Sequence, residues 1–380
     1  MSAELSSDGP STEVGLIRGL QVAIRAFIPG ATVEKVTPFR IDEAEEGETT
    51  VKAMGYGQPL KVTARGPDGT AHRYVLHTAT PNPYGHDFRA DRAAEMLLSF
   101  DTFNDIPGHV RAIDVGGLGR HGELVSLREA GEMYVLTEYA EGHPYAEELR
   151  RIGETGEATA TDVMRAGKLA GYLAALHVPP DVDEEARPGL YRRAIRDLVG
   201  SGEGLAGIAD GYPPEYDERL ARLEEAALRW RHKLKRRPDR LVRTHGDFHP
   251  FNILFDDEHE LHLLDASRGC LGDAADDLVA LSINYPFFAL MHPGTWERGF
   301  GPLWTTFWRG YAGSGKGGGQ GLFEVVAPFW TWRTLVVASP VWYPDIDPTA
   351  RERLLKLAED ILAADAFDPS MVEAMMAEAP

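Results

Sequence analysis

The sequence predicts an α+β fold of two lobes, a small β-rich N-terminal lobe over residues 1–140 and a large, mainly helical C-terminal lobe over residues 141–380. Short apolar runs separated by turn residues occur before residue 80, and this pattern is typical of strands. After residue 160, apolar residues recur every three or four positions, which indicates amphipathic helices. Within the helical part, a polar loop is followed by the pattern of a short hairpin.

Composition limits the class of protein before any motif is considered. A length of 380 residues allows two or three domains or lobes, and 43% hydrophobic residues suffice for packed cores. The formal net charge of −20 argues against a nucleic-acid partner, because phosphate binding uses clustered Lys and Arg. The single cysteine, Cys270, excludes internal disulfides. No signal peptide or membrane span is recognised, so we predict a cytoplasmic protein.

The N-terminal lobe begins with a predicted helix at Glu13–Ile28, whose apolar residues recur at helical spacing. The turn sequence Gly66–Gly69 predicts a hairpin between two strands. Strands are predicted at Val51–Met54, Leu60–Ala64 and His72–Thr78.

Gly55 and Gly57 lie between the first two predicted strands. We interpret them as nucleotide-binding residues whose backbone amides contact triphosphate oxygens, with an ordinary β-turn as the alternative.

The segment Glu132–Tyr139 is apolar and predicts a buried strand that ends the N-terminal lobe, with the connector after it and a lobe boundary near Glu141. Beyond this boundary the periodicity predicts helices. They are Thr161–His177, Tyr216–Arg237, Ala274–Leu290, Trp296–Tyr311, Leu322–Val337 and Ala350–Ala364.

The polar loop and the hairpin after it, Thr244–Asp265, carry the strongest functional signal. Phosphoryl transfer needs an acceptor for the hydroxyl proton and metal ions that neutralise phosphate charge. Asp247 suits the first role, and Asn252 and Asp265 supply the oxygen ligands that Mg²⁺ prefers. A hairpin between Asn252 and Asp265 would bring both to the same end. The residues therefore predict a phosphoryl-transfer centre.

Residues 245–252, with Asp265 and residues 272–278, resemble the signature of the aminoglycoside phosphotransferase and choline kinase-like family. The resemblance implies a protein-kinase-like bilobal fold and transfer of the γ-phosphate of ATP or GTP, with Mg²⁺, to a hydroxyl. By the same resemblance Asp247 is the catalytic residue, Asn252 and Asp265 are the metal ligands, and Asp277 is a structural support of the catalytic loop. We expect His245 and His249 to be hydrogen-bonded scaffolding of that loop.

The resemblance also implies nucleotide contacts in the N-terminal lobe. The position of the usual phosphate-binding lysine is occupied by His77, with Val75 on the same strand face as an adenine contact. Glu95 on the next helix is the expected ion-pair partner of His77. Lys61 and Arg73 are alternatives to His77.

Backbone groups of a connector between the lobes are a further contact that the resemblance implies. The two residues expected to offer them to the purine are Glu138 and Ala140.

The predicted function is phosphate transfer to a small-molecule hydroxyl acceptor of the aminoglycoside, amino alcohol or sugar type. Alternatives are a protein Ser/Thr kinase of the same fold and a nucleotide-binding regulatory pseudokinase, the latter suggested by His77. A non-haem iron site containing His245 and Asp247 is a third alternative, disfavoured because helices rather than many short strands follow. The sequence predicts neither the acceptor nor the oligomeric state.

Overall fold

The structure, a computed structural model, describes residues 9–38, 59–266, 268–315 and 321–378. Contacts between Cα atoms divide the chain into two compact units, Met1–Thr137 and Glu138–Pro380. The first unit combines a three-stranded sheet with helices and the second is mainly helical, so the α+β fold class is confirmed. The predicted strand Val51–Met54 lies outside the described residues, as do Gly55 and Gly57.

The first unit contains a three-stranded antiparallel sheet in the order β1-β2-β3, formed by Thr32–Pro38, Leu60–Arg65 and Ala71–Leu76. The last two strands were predicted, and the turn between them is closed by a hydrogen bond from Gly66 N to Thr70 O (2.9 Å). β1 was not predicted. Helix α1 (Gly9–Phe27), predicted from its periodicity, packs beside the sheet.

The remaining elements of this unit are helix α2 (Arg89–Phe103) and the hairpin β4 (Gly116–Leu118) and β5 (Leu124–Ser126). The prediction of a buried strand at Glu132–Tyr139 is wrong. This segment has no strand neighbour among the described residues, and Tyr134 is 92% exposed. An apolar run becomes a strand only where another strand satisfies its backbone groups, and periodicity alone does not supply that partner.

The second unit is mainly helical, with short strands around the polar loop. Its helices are α3 (Tyr145–Thr155), α4 (Ala160–Leu176), α5 (Arg187–Gly200), α6 (Leu205–Ala209), α7 (Asp217–Leu234), α8 (Ala274–Ser282), α9 (Asn284–Met291), α10 (Gly301–Gly313), α11 (Val326–Val337), α12 (Pro348–Ala363) and α13 (Ser370–Ala377). Its strands are β6 (His143–Pro144), β7 (Val242–Arg243), β8 (Ile253–Phe255), β9 (Leu261–Leu263) and β10 (Leu271–Gly272).

The six helices predicted in the second unit are present, with one interruption. The predicted helix Ala274–Leu290 is divided into α8 and α9. Pro286 has no N–H to donate, and its ring conflicts with the carbonyl of Ser282 four residues earlier, so the helix is interrupted at Ile283.

The core of the second unit includes aromatic residues on α10 and α11. Trp304, Phe307 and Trp330 are fully buried, and the rings of Trp304 and Trp330 meet edge to face at 6.0 Å. Helix α11 packs on α8 and α12. Through α8 this core supports the polar loop. No helix in the described ranges has the length and apolarity needed to cross a bilayer.

Candidate active site

The polar loop connects β7 to the hairpin β8–β9. It turns at Gly246. Gly246 has φ +84°, a left-handed conformation that favours glycine. A Cβ at this position would lie 2.9 Å from the carbonyl oxygen of Gly269. Thr244 N donates to Cys270 O (3.0 Å), which ties the start of the loop to the chain that follows the hairpin.

The buried carboxylate of Asp277, in the first turn of α8, holds the loop through its backbone. Its Oδ2 accepts from His245 N (2.7 Å) and its Oδ1 from Gly246 N (2.8 Å). His177 Nε2 lies 3.1 Å from Oδ2 and donates to it, while His177 Nδ1 lies 2.8 Å from the hydroxyl of Tyr311. Burial raises the pKa of Asp277, but these donors outweigh it, and the pKa lies below its usual value. Asp277 therefore remains ionised and fixes the loop amides.

Helix α8 is itself anchored by a buried ion pair. Asp273 caps the helix by accepting from Ala275 N (3.0 Å). It also accepts from Arg240 Nη2 (2.6 Å) and Nε (2.7 Å) and from the Tyr191 hydroxyl (2.8 Å). The bidentate geometry fixes both position and orientation of the helix start.

The three residues predicted to form the phosphoryl-transfer centre come together around the amide of Asn252. Its Nδ2 lies 3.1 Å from Asp247 O, 3.5 Å from Asp247 Oδ2 and 3.5 Å from Asp265 O. The hairpin brings Asn252 and Asp265 together, because its strands β8 and β9 pair antiparallel. Beyond the strands, Leu264 N donates to Asn252 O (2.9 Å). The predicted hairpin is thus present and brings Asn252 next to Asp265.

Asn252 and Asp265 carry oxygen atoms of the kind that Mg²⁺ takes as ligands. Asn252 Nδ2 faces protein oxygens, which leaves Oδ1 as the ligand atom. The carboxylate of Asp265 is exposed, has φ +48°, and forms no hydrogen bond or ion pair with any described side chain. The described ranges contain no group of three or more His, Cys, Asp or Glu side chains arranged for a metal. Mg²⁺ needs no such group, since one or two carboxylates with phosphate and water complete its octahedron.

Two arginines that sequence reasoning missed contact Asp247. Arg268 Nη2 and Arg333 Nη1 both donate to Oδ1, at 2.6 and 2.8 Å. His249 Nε2 lies 3.4 Å from Oδ2. Burial raises the pKa of Asp247, but His249, Arg333 and Arg268 outweigh it and hold the pKa well below its usual range. Asp247 is consequently a weak base.

The two loop histidines bond to nearby backbone. His245 Nδ1 accepts from Asp247 N (3.3 Å), and His249 Nδ1 accepts from Phe251 N (3.2 Å). Both bonds span two residues and brace the turns of the loop.

Arg333 had one signal in the sequence, as a lone charge within the apolar helix α11. A buried arginine requires a partner. The pattern does not say which carboxylate supplies it.

The residues predicted to bind nucleotide in the first unit are placed as follows. Val75 is 41% exposed near the end of β3, and His77 is exposed just after it. The expected pair of His77 with Glu95 is not formed, because Glu95 Oε2 instead lies 2.8 Å from His86 Nε2. His86 precedes α2 by only three residues, whereas His77 lies twice as far from Glu95 along the chain.

In the second unit, Glu138 and Ala140 lie in an irregular segment before β6. The structure assigns neither a hydrogen-bonding role.

Comparison with known proteins identifies the family. A model of the APH family, described as the phosphotransferase enzyme family, matches residues 90–307. These residues include the loop, the hairpin and α8. No curated protein matches the chain.

Solved structures are similar at low identity. An aminoglycoside phosphotransferase from Streptomyces rimosus, in complex with ADP and streptomycin, is 19% identical over 92% of this chain and 98% of that chain, with a TM-score of 0.31. A macrolide 2'-phosphotransferase from Brachybacterium faecium is 19% identical over 91% and 97%, with a TM-score of 0.27. A choline kinase from Streptococcus pneumoniae is 14% identical over 90% and 97%, with a TM-score of 0.30.

Proposed function

The chain belongs to the phosphotransferase enzyme family and acts on hydroxyl groups, and from this premise we propose that it moves the γ-phosphate of ATP or GTP to a hydroxyl of a small molecule. The observation that carries the proposal is the amide of Asn252, which joins Asp247 and Asp265 in one site. Phosphoryl transfer requires an acceptor for the hydroxyl proton and oxygen ligands for the metal. Asp247 would supply the first, and the amide oxygen of Asn252 and the carboxylate of Asp265 would supply the second.

In the proposed reaction, Asp247 Oδ2 orients the acceptor hydroxyl toward the γ-phosphorus. The new O–P bond forms as the bond from that phosphorus to the β–γ bridging oxygen breaks, and the hydroxyl proton passes to Oδ2. Because the pKa of Asp247 is low, the proton transfers late, when bond formation to phosphorus has made the hydroxyl proton more acidic. Asn252 and Asp265 would hold Mg²⁺, which neutralises charge on the phosphates.

We propose an amine-bearing acceptor of the aminoglycoside or amino alcohol type, with sugar-like alcohols as the neutral alternative. The support is the net charge of −20, since an acidic protein raises the local concentration of cations.

The nucleotide contacts are proposed for the first unit and the segment after it. They are Gly55, Gly57, Val75, His77, Glu138 and Ala140. Glu95 stabilises this region by pairing with His86 rather than with His77.

Calorimetric titration of ATP with and without Mg²⁺ tests the metal site. Asp265→Ala should weaken Mg²⁺-dependent ATP binding by about 10- to 100-fold, the loss typical of a metal-site residue. The matched control is Asp257→Ala, an exposed aspartate in the turn of the same hairpin, which should bind as the wild type does.

Phosphate transfer to a panel of aminoglycosides, choline, ethanolamine and sugars completes the test. Asp247→Asn should lower kcat by about 10²- to 10⁴-fold with ATP affinity retained, because only the proton acceptor is lost. Transfer to protein Ser or Thr alone would favour the protein kinase alternative. Nucleotide binding without transfer to any acceptor would favour a regulatory role.

A further inference from the structure

We propose, resting on the function proposed above, that Arg333 is a positioning residue that fixes Asp247 so that a single carboxylate oxygen, Oδ2, receives the acceptor hydroxyl. Arg333 lies on α11, 86 residues beyond Asp247, and belongs to no part of the loop or hairpin.

The guanidinium of Arg333 joins the loop to helix α8. Nη1 donates to Asp247 Oδ1 (2.8 Å), while Nη2 donates to Asp276 Oδ1 (3.0 Å) and to Gly246 O (3.3 Å). The side chain is only 7% exposed. A planar guanidinium held at both ends leaves little freedom to the carboxylate that it contacts.

Trp332 restricts Arg333 further. Its ring lies 4.1 Å from Arg333 Cζ and 4.5 Å from Arg268 Cζ, so one indole stacks with both arginines that donate to Asp247. The indole Nε1 donates to Glu203 O (2.9 Å), which fixes the ring in turn. The arrangement therefore places both donors before any substrate binds.

Consecutive carboxylates at the start of α8 hold opposite sides of the loop. Asp277 accepts from the backbone N–H groups of His245 and Gly246, and Asp276, through Arg333, holds the carbonyl of Gly246 and the side chain of Asp247. The first turn of α8 thus contacts donors and acceptors of one loop, and Arg268 Nε adds a second donor to the carbonyl of Gly246 (2.8 Å). Such an arrangement fixes the loop in rotation as well as in position.

Burying Arg333 destabilises the folded state, and this argues that the residue has a role beyond stability. Arg333 Nε is buried and has no hydrogen-bond partner among the described residues. A buried N–H left unpaired is destabilising, and a buried ion pair often contributes no more to stability than apolar residues of similar size.

The two carboxylate oxygens of Asp247 differ in the hydrogen bonds that they accept. Oδ1 accepts from both arginines at 2.8 Å or less, whereas the nearest donors to Oδ2 among the described residues are His249 Nε2 at 3.4 Å and Asn252 Nδ2 at 3.5 Å. Oδ2 therefore keeps its capacity to accept a short hydrogen bond. The acceptor hydroxyl is received there.

Steady-state kinetics on the full chain with Mg²⁺-ATP tests the inference. Arg333→Gln should lower kcat by about 10²-fold, the scale expected when a reacting group is displaced by about 1 Å. ATP affinity measured by calorimetry should stay unchanged, because no nucleotide contact is removed. Arg333→Lys should recover part of kcat, since an ammonium keeps the charge but cannot reproduce the planar fork.

The matched control is Arg219→Gln. Arg219 is also mostly buried and bridges two carboxylates, Glu352 and Glu359, but it does not touch the loop. It should lower the melting temperature without changing kcat. Equal kcat losses in Arg333→Gln and Arg219→Gln would mean that Arg333 acts through stability alone, and would overturn the inference.

A crystal structure of Arg333→Gln separates this inference from the proposed function. We expect the Asp247 carboxylate to leave its position while the backbone of the loop stays in place. An unmoved Asp247 carboxylate overturns the inference whether or not an acceptor is known. If the wild type transfers phosphate to no acceptor, the proposed function fails, and the position of Asp247 still decides the role of Arg333.

Discussion

At the scale of single residues, the loop depends on a glycine that no other residue replaces without strain. Gly246 has φ +84°, and its amide and carbonyl are both engaged, by Asp277 and Arg333. An alanine here would adopt an unfavourable backbone conformation and bring its Cβ within 2.9 Å of Gly269 O. The amide is held by Asp277 on α8, and the carbonyl accepts from Arg268 Nε (2.8 Å) as well as from Arg333 on α11.

We therefore predict that Gly246→Ala lowers the free energy of unfolding by about 1–3 kcal/mol, the cost of a left-handed non-glycine residue in a fixed loop. Urea denaturation followed by circular dichroism measures it. The control is Gly313→Ala in the last turn of α10, where a Cβ meets no atom within 4 Å. That variant should be neutral or slightly more stable, because alanine restricts the unfolded chain. Equal effects at both positions would contradict the account of Gly246.

At the scale of elements, helix α8 is the support of the site, and its ionised carboxylate Asp277 predicts a pH dependence. The folded pKa of Asp277 lies below the value of about 3.9 expected in the unfolded chain. Stability from this group is therefore complete above the unfolded pKa and is lost as the pH falls through the folded pKa.

Asp277→Asn should cost about 1–3 kcal/mol at pH 7, because an amide nitrogen cannot accept from the loop N–H groups. The variant should also lose less stability than the wild type as the pH falls below the unfolded pKa of about 3.9. Urea denaturation at pH 7 and below this pKa measures both. Asp360→Asn, at an exposed position of α12, should stay within about 0.5 kcal/mol of the wild type at pH 7. A parallel acid dependence of the wild type and Asp277→Asn would refute the assignment.

The sequence predicted those elements whose cause is local. The hairpin that joins Asn252 to Asp265 follows from two apolar runs around a polar turn, and its pairing is present. Helix α4 follows from the periodicity of its apolar face, and Thr159 at its start accepts from Asp162 N as a capping residue does. In both cases, the residues that determine the element are close together in the sequence.

Features that depend on distant partners were not predictable. Arg333 reaches Asp247 across 86 residues, and nothing near either position identifies the other. Glu95 pairs with His86 instead of His77 because the choice between two histidines depends on where β3 ends relative to α2. The apolar segment Glu132–Tyr139 shows the same limit, since a strand exists only through its neighbour.

At the scale of the whole molecule, the two compact units differ greatly in the size of their cores. In the part of the first unit that the structure describes, the buried core consists of Leu20, Ile24, Ala31, Val62 and Ala64. The core of the second unit includes buried tryptophans and phenylalanines from α10 and α11. Because stability rises with the apolar area buried, the first unit should unfold at the lower temperature.

Calorimetric unfolding of the full chain should therefore show two transitions. Limited proteolysis at the temperature of the first transition should cut the chain before Glu138.

Mg²⁺-ATP should raise the temperature of the lower transition, since a ligand that binds only the folded unit stabilises it by about 2.7 kcal/mol at 100 times its Kd. A single transition, with cuts spread over both units, would show that the units unfold together. A shift confined to the upper transition would instead place nucleotide binding in the second unit alone and remove His77 from the proposed contacts.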